Sequence, residues 1–292
     1  MSVLTVSFEA IGTKWVIDLA DTKFATGTRD IERLILEEVD DFDKIYSRFR
    51  KDSLVTQISK KPGKFKFPKS ADPMFKLYEK LYFISNDLFT PLIGSLMVEA
   101  GYDTDYSLIP KTLRKIKIWE DSFIYRNQTL ETRVPIQLDF GALGKGHLID
   151  ILGELLEKNN IKSYTIDAGG DILHKTDTKK ALKVGLENPA NTNQVIGVAE
   201  IHNESLCASA GNRRAWSKYH HILNPKSKSS PKDVLATWVI AKKAIISDAL
   251  ATALYLVPPD KLTSEFDFGY AILYPGKLLK KSKNFPARIF YG

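Results

Sequence analysis

One cysteine, Cys207, stands in 292 residues. A single thiol excludes an internal disulfide framework and a thiolate metal cluster, and it fits a reducing compartment. Long apolar runs are missing as well: none approaches the roughly 20 residues that span a bilayer. The opening MSVLTVSFEAIGTKW has neither a charged segment ahead of an apolar core nor a lipidation cysteine. These absences predict a soluble, cytoplasmic chain with no membrane insertion. No serine sits in a nucleophile elbow, and C-x-x-C and H-E-x-x-H do not occur, so a Ser/His/Asp triad and the common zinc motifs drop out. No double-stranded-RNA, zinc-finger or helix-turn-helix signature is present, and nucleic acid is not the expected partner.

What the chain does have is a 43% apolar fraction, enough for a sizeable core, and a net charge of +7. The lysines collect at 111–117, 226–232 and 277–283, in stretches that read as loops. They form either solvated faces or a surface for an acidic partner. Alternation and turn residues predict strands over 4–8 and 15–19, joined at Gly12-Thr13. Ile31, Leu34, Ile35, Val39, Phe42, Ile45, Tyr46 and Phe49 keep helical spacing over 29–49. A basic, proline-punctuated loop over 60–69 leads to a second amphipathic helix over 72–89. Further strands are expected over 164–168, 182–186, 196–201, 204–208, 238–241, 270–274 and 288–291, with a mostly apolar helix over 245–256. Strands outside βαβ units and helices in separate blocks predict an α+β class. No repeat or low-complexity linker divides the chain, which reads as a single domain over 1–292.

Three features can carry chemistry. The loop Gly141-Ala142-Leu143-Gly144-Lys145-Gly146 opens a helix with Leu148, Ile149, Leu152, Leu155 and Leu156 on one face. Such a loop lets backbone N–H groups approach a phosphate, and Lys145 adds a mobile positive charge. A plain tight turn before a helix reads equally well, and His147 occupies the place of the hydroxyl in a phosphate-binding P-loop. Asp248 and Thr252 are i and i+4 on one helix face. They serve either as cap and back-bonded hydroxyl, or as two oxygen ligands of Mg²⁺, completed by phosphate oxygens and a backbone carbonyl. His220 and His221 precede Ile222-Leu223-Asn224-Pro225, where a histidine is either structural or a general base with an ordinary pKa near 6.5.

Taken in order, the motifs resemble the ApbE family of FAD:protein FMN transferases. Ala10-Ile11-Gly12-Thr13 resembles A-M-G-T, and Ser47-Arg48-Phe49 with Asp52-Ser53 resembles S-x-[YF]-x-x-x-S-E-[LI]. Phe89 through Gly101-Tyr102 has the spacing of F-D-x-T-x-G-P-L…W-G-F. Asp139-Phe140-Gly141-Ala142-Leu143-Gly144-Lys145-Gly146 with Asp150 resembles D-L-[GS]-x-[IV]-[AG]-K-G-x-x-x-D. Ala168-Gly169-Gly170-Asp171 matches the G-G-[DN] turn, and Ser209-Ala210-Gly211-Asn212 resembles T-S-G-[DN]. His221 to Pro225 matches H-I-[IL]-[DN]-P, and Asp248 to Leu254 is close to D-A-L-[AS]-T-A-L.

The resemblance implies an α+β, T-fold-like core of two lobes and an enzyme that cleaves FAD to AMP. FMN is then joined through a phosphoester to a Thr or Ser of an acceptor flavoprotein, within a short Asp-Gly…Gly-Ala-Thr-like segment. By the same resemblance, Mg²⁺ is held by Asp248, Thr252 and the Ala142 carbonyl. FAD contacts fall at Ile11, Phe49, Leu88, Phe89, Thr90, Asp139, Lys145 and Ile222, and His221 is the general base. Ile11 stands for the family methionine, Thr90 and Leu92 for an aspartate and a threonine, and Ser227-Lys228 for T-G. The changes at 90 and 92 remove a carboxylate and a hydroxyl from the expected nucleotide pocket. A pyrophosphatase releasing free FMN and AMP, and a non-catalytic FAD-binding protein, are the alternatives.

Overall fold

A computed structural model describes residues 3–20 and 28–290. Its centre is an eight-stranded antiparallel sheet that begins with the hairpin Val3–Ala10 and Thr13–Ala20. Ile11 and Gly12 both take left-handed backbone angles, φ 51° and 68°, as a two-residue turn between twisted strands requires. Alternation then sends Trp15, Ile17 and Leu19 inward, all fully buried. The sheet continues through Tyr164–Ala168, Ile172–Lys175, Glu204–Ala210, Ala236–Ala241, Gly269–Leu273 and Leu279–Lys281.

Strand Ala236–Ala241 is covered on both faces. Val239 and Ala241 belong to the large core under the helices, whereas Ala236, Trp238 and Ile240 join a second core. The second core is completed by the three-stranded sheet Leu182–Asn188, Asn191–Ile201 and Ala287–Ile289. On the helical side, Thr237 donates its hydroxyl to the Ala251 carbonyl at 2.7 Å, tying the sheet to the helix Ala244–Ala253. The α+β class expected from the separate blocks is the class observed. Among the described residues no helix is long and apolar enough to cross a membrane.

The differences from the expected elements lie mostly at their ends. The helix expected over 72–89 runs Asp72–Ile84, because Asn86 and Asp87 turn left-handed at φ 53° and 66°. The Ser85 hydroxyl then accepts from the Phe89 amide at 2.8 Å, fixing the extended Leu88–Phe89–Thr90 segment. The helix expected to reach Phe49 ends at Tyr46, which frees Arg48 and Phe49 to leave the helix surface. The basic loop expected over 60–69 contains a strand, Gly63–Lys66, paired with Thr129–Thr132 and, beyond it, Phe123–Arg126. The short helix Leu54–Lys60, capped by Ser53 through the Thr56 amide, was also not expected. Residue 291 of the expected last strand lies outside the described residues.

The glycine loop leads into the helix Gly144–Lys158, which crosses Ala244–Ala253 at close range. A methyl group at 146 would overlap the Ala244 carbonyl and lie 2.7 Å from Cβ of Asp248. Gly146 is therefore what lets the two backbones touch. Gly146→Ala is expected to cost about 1–3 kcal/mol of stability, the usual scale for overpacking. Gly144→Ala, whose methyl would meet nothing closer than 3.8 Å, is the matched control. Urea unfolding of the two variants makes the comparison, and equal losses would show that the close approach is not what the glycine secures.

Candidate active site

A cavity of about 810 Å³ opens among the ends of these elements, and all twelve residues singled out from the sequence line it. Ile11 reaches it from the hairpin turn, and Phe49 from the chain leaving the first helix. Leu88, Phe89 and Thr90 come from the extended segment after Ile84. Asp139, Ala142 and Lys145 come from the glycine loop, His221 and Ile222 from the turn after Tyr219–His220, and Asp248 and Thr252 from the Ala244 helix. The site thus draws on parts of the chain more than 230 residues apart, held together by the sheet and the two crossed helices.

Asp248 is 4% exposed, and it sits inside its helix rather than at the cap. The cap position is served instead by Asp150, whose carboxylate accepts from the Ala244 and Ile245 amides at 2.8 and 3.0 Å. Thr252 does not bond back along its own helix; its hydroxyl faces that of Ser209 at 3.3 Å. One Asp248 oxygen accepts from the Gly146 amide at 2.8 Å. The other has no hydrogen-bond partner among the described residues. Burial raises the Asp248 pKa, opposed chiefly by the charge of Lys145. Carboxylate and hydroxyl, with the backbone of Ala142 on the same cavity wall, are hard oxygen donors of the kind that suit Mg²⁺, and a buried carboxylate gains from a cation. Among the described residues no group of three or more His, Cys, Asp or Glu could hold a metal without help. A cation there would need water or a ligand's phosphates to complete its shell.

Lys145 is not the mobile charge expected from its place in the loop. Its ammonium is paired with Asp171, 1% exposed, whose other oxygen accepts from the Ala208 amide at 3.1 Å. Asp139 is equally committed: Arg48 Nε reaches it at 2.5 Å and the Gly141 amide at 2.7 Å. The Arg48 guanidinium lies 4.1 Å from the Phe49 ring centre and 5.0 Å from that of Tyr102. Phe49 stacks on Tyr106 at 5.0 Å, and Tyr102 on Trp216 at 5.3 Å, forming an aromatic wall.

The two histidines separate cleanly. His220 places Nε2 2.9 Å from the Pro231 carbonyl and accepts from the Ile222 amide at Nδ1, which makes it structural. His221 leaves Nδ1 without a partner while lining the cavity. Burial first, then the charges of Arg214, His220 and Lys145, lower its pKa to about 3.

The departures at 90 and 92 fall differently. Thr90 lines the cavity, but its hydroxyl accepts from the Leu92 amide at 3.2 Å and caps the turn Pro91–Ile93. Leu92 is 2% exposed in the main core and does not line the cavity, so the hydroxyl expected to be lost there is not lost from the pocket wall. Residues not singled out from the sequence also line it: Arg48, Tyr102, Tyr106, Ser209, Arg214 and Trp216. Arg48 and Ser209 lie inside motifs that were read, so their signal was present. Tyr106 and Trp216 lie in segments without periodicity and had none.

A large antiparallel sheet backed by two crossed helices is a fold shared with solved proteins. The family model described as "ApbE family" matches residues 11–267, and the chain belongs to that family. Among its relatives is the FAD:protein FMN transferase of Treponema pallidum, 29% identical over 174 residues, 53% of this chain and 48% of that one. The transferase of Buchnera aphidicola subsp. Schizaphis graminum is 23% identical over 277 residues, 85% of this chain and 78% of that one. The match to the Treponema protein therefore spans about half of that protein's length. The ApbE protein of Thermotoga maritima superposes with a TM-score of 0.84 at 20% identity over 97% of each chain. The flavin transferase ApbE of Vibrio cholerae does so with 0.81 at 16% over 96% of each. At these identities the solved structures establish the fold.

Burial pushes the Asp150 pKa up to about 6 from its ordinary 3.8. The native state therefore holds a proton that the unfolded chain has lost between these values, and stability from this group falls as pH rises through 6. In urea unfolding, Asp150→Asn should lower the excess of stability at pH 4.5 over pH 7. An unchanged difference would mean that Asp150 titrates normally.

Proposed function

We propose that this protein is a Mg²⁺-dependent FAD:protein FMN transferase that modifies a Thr or Ser of an acceptor flavoprotein. The observation that carries the reading is the convergence of Asp248, Thr252, Lys145 and His221 on one cavity large enough for a dinucleotide's reacting end. The relatives named FAD:protein FMN transferase support it.

In this reading the acceptor hydroxyl attacks the FMN-side phosphorus. The bond from that phosphorus to the bridging oxygen breaks, AMP leaves, and the hydroxyl proton passes to His221. Mg²⁺ held by Asp248, Thr252 and the Ala142 carbonyl would neutralise charge developing on the phosphates. Lys145 contributes a fixed positive charge at the same end, aimed by Asp171 rather than free to wander. Asp139, locked by Arg48 and the Gly141 amide, presents an oriented wall. Phe49, with Ile11, Phe89 and Ile222, gives the apolar faces on which a flat ring system is held.

His221 meets the reaction with a depressed pKa, which makes it neutral and ready to accept a proton, but weakly basic. A bound pyrophosphate places negative charge beside it and offsets Arg214 and Lys145, raising that pKa. The acid limb of kcat/KM, which reports the free enzyme, should therefore lie well below pH 6.5. The limb of kcat should lie at higher pH than that of kcat/KM. Coincident limbs near 6.5 would remove the depressed histidine from the mechanism.

Asp248→Ala should abolish Mg²⁺-dependent transfer, read as the mass of FMN added to the acceptor, with the circular dichroism spectrum retained. Transfer at saturating Mg²⁺ would sink the metal assignment. His221→Ala should lower kcat by about 10²–10⁴-fold, the scale of a lost general base, with little change in FAD affinity. Release of FMN and AMP with no adduct on any acceptor would establish the pyrophosphatase instead.

A further inference from the structure

Two of the lysine-rich stretches meet beside the cavity. Residues 100–118 form no helix or strand between Gly94–Glu99 and Trp119–Ser122, yet the segment is firmly held. The Leu108 amide donates to the Gly101 carbonyl at 2.8 Å and the Lys111 amide to the Glu99 carbonyl at 2.7 Å. Glu99, 8% exposed, takes both the amide and Nε of Arg114 at 2.6 Å. Lys228 Nζ donates to the Leu113 carbonyl at 3.2 Å and joins 226–232 to this segment. A long irregular stretch this well fixed is a marker of function rather than a slack connection.

Charge and exposure say what it presents. Lys111, Arg114, Lys115 and Lys117 lie in 107–118, and Lys226, Lys228 and Lys232 in 226–232, with no acidic residue in either. Arg114 is paired with Glu99 and Lys226 with Asp87. The other five make no ion pair among the described residues. Tyr106, Leu108, Ile109 and Ile118 are 42–67% exposed, a concentration of large apolar side chains in thirteen residues. Tyr106 and Leu108 also line the cavity, and both take left-handed backbone angles, φ 50° and 54°. Bulky residues held there at a rim are a strain that a binding face accounts for. Inside, Leu113 and Ile116 pack on the cluster containing Met97, Tyr102, Trp216 and Leu223, which line the cavity themselves.

We infer that the ridge formed by 106–118 and 226–232 is the docking face for the acceptor protein, and that the acceptor presents an acidic surface around its modified hydroxyl. The inference rests on the transferase reading. Unpaired lysines steer and orient an acidic partner, and the exposed apolar side chains at the rim supply contact area once it arrives. A protein is favoured over a nucleic acid because the face borders the cavity at which a protein hydroxyl has to arrive.

The test uses the intact enzyme and two fluorescent peptides of one length, each with a central threonine, one flanked by glutamates and the other by glutamines. At low salt the glutamate peptide should bind at least about tenfold tighter, and the preference should vanish at high salt. Lys111→Glu/Lys115→Glu/Lys232→Glu, at three exposed positions whose side chains make no hydrogen bond or ion pair among the described residues, should abolish the preference while leaving the KM for FAD unchanged. No preference, or a preference that survives the triple variant, overturns the inference. Tighter binding of a single-stranded RNA of equal charge, displacing the peptide, overturns it in favour of nucleic acid. No FMN transferred from FAD with Mg²⁺ to an acceptor domain carrying the Asp-Gly…Gly-Ala-Thr-like segment, while the peptide preference holds, sinks the transferase reading and with it the acceptor assignment. The two failures are therefore read separately.

Discussion

The contact on which the site depends is the crossing of the helices Gly144–Lys158 and Ala244–Ala253. Three interactions of different kinds converge there. Gly146 has no side chain, so backbone meets backbone; its amide donates to Asp248; and Asp150, one turn on, caps the amides at the start of the other helix. One helix thus supplies the space, an orienting hydrogen bond and the cap for its neighbour. Orientation of a buried carboxylate by backbone is durable, because a backbone amide has no rotamers to exchange.

The rest of the cavity follows the same pattern. Charged groups that face it are anchored from behind: Lys145 by Asp171, Asp139 by Arg48, and Arg48 in turn by the Tyr102 carbonyl at 2.8 Å. Most of these charges are paired with opposite ones, so a basic protein encloses a site whose own charges are largely internally balanced. Lysines without ion pairs among the described residues lie outside, on the irregular segment at the rim and the loop bonded to it. Internal pairing serves orientation, and the external excess serves attraction over distance.

Much of this architecture was legible because it rests on periodicity and on punctuation by glycine. The strand over 164–168 was recovered end to end, the helix carrying Asp248 to within a few residues, and the hairpin at Gly12-Thr13 in its alternation. The convergence of the site residues was legible only through the order of the motifs, since no local rule brings residue 11 beside residue 248. What stayed hidden was of two kinds. Element ends escaped because left-handed residues such as Asn86 and Asp87 stop a helix whose apolar pattern would have carried it on. Tertiary pairings escaped because nothing local announces them: the small sheet around Gly63–Lys66, the pinning of Lys145, the burial of Leu92. The stacked wall of Phe49, Tyr102, Tyr106 and Trp216 belongs to the second kind.

Asp171 serves two masters: one oxygen holds Lys145 in the cavity, and the other holds the Ala208 amide in the neighbouring strand. An anion that shares the fixed Lys145 ammonium weakens its hold on Asp171 and leaves that buried carboxylate leaning more on the sheet. The free energy gained at the anion is therefore diminished by whatever the pair is worth, and the coupling is reciprocal. A looser strand at this turn would raise the affinity for the anion, and a bound anion would loosen the strand. Occupancy of the cavity is in this sense written into the opening equilibrium of a sheet amide, a quantity that hydrogen exchange reads at a distance from any substrate.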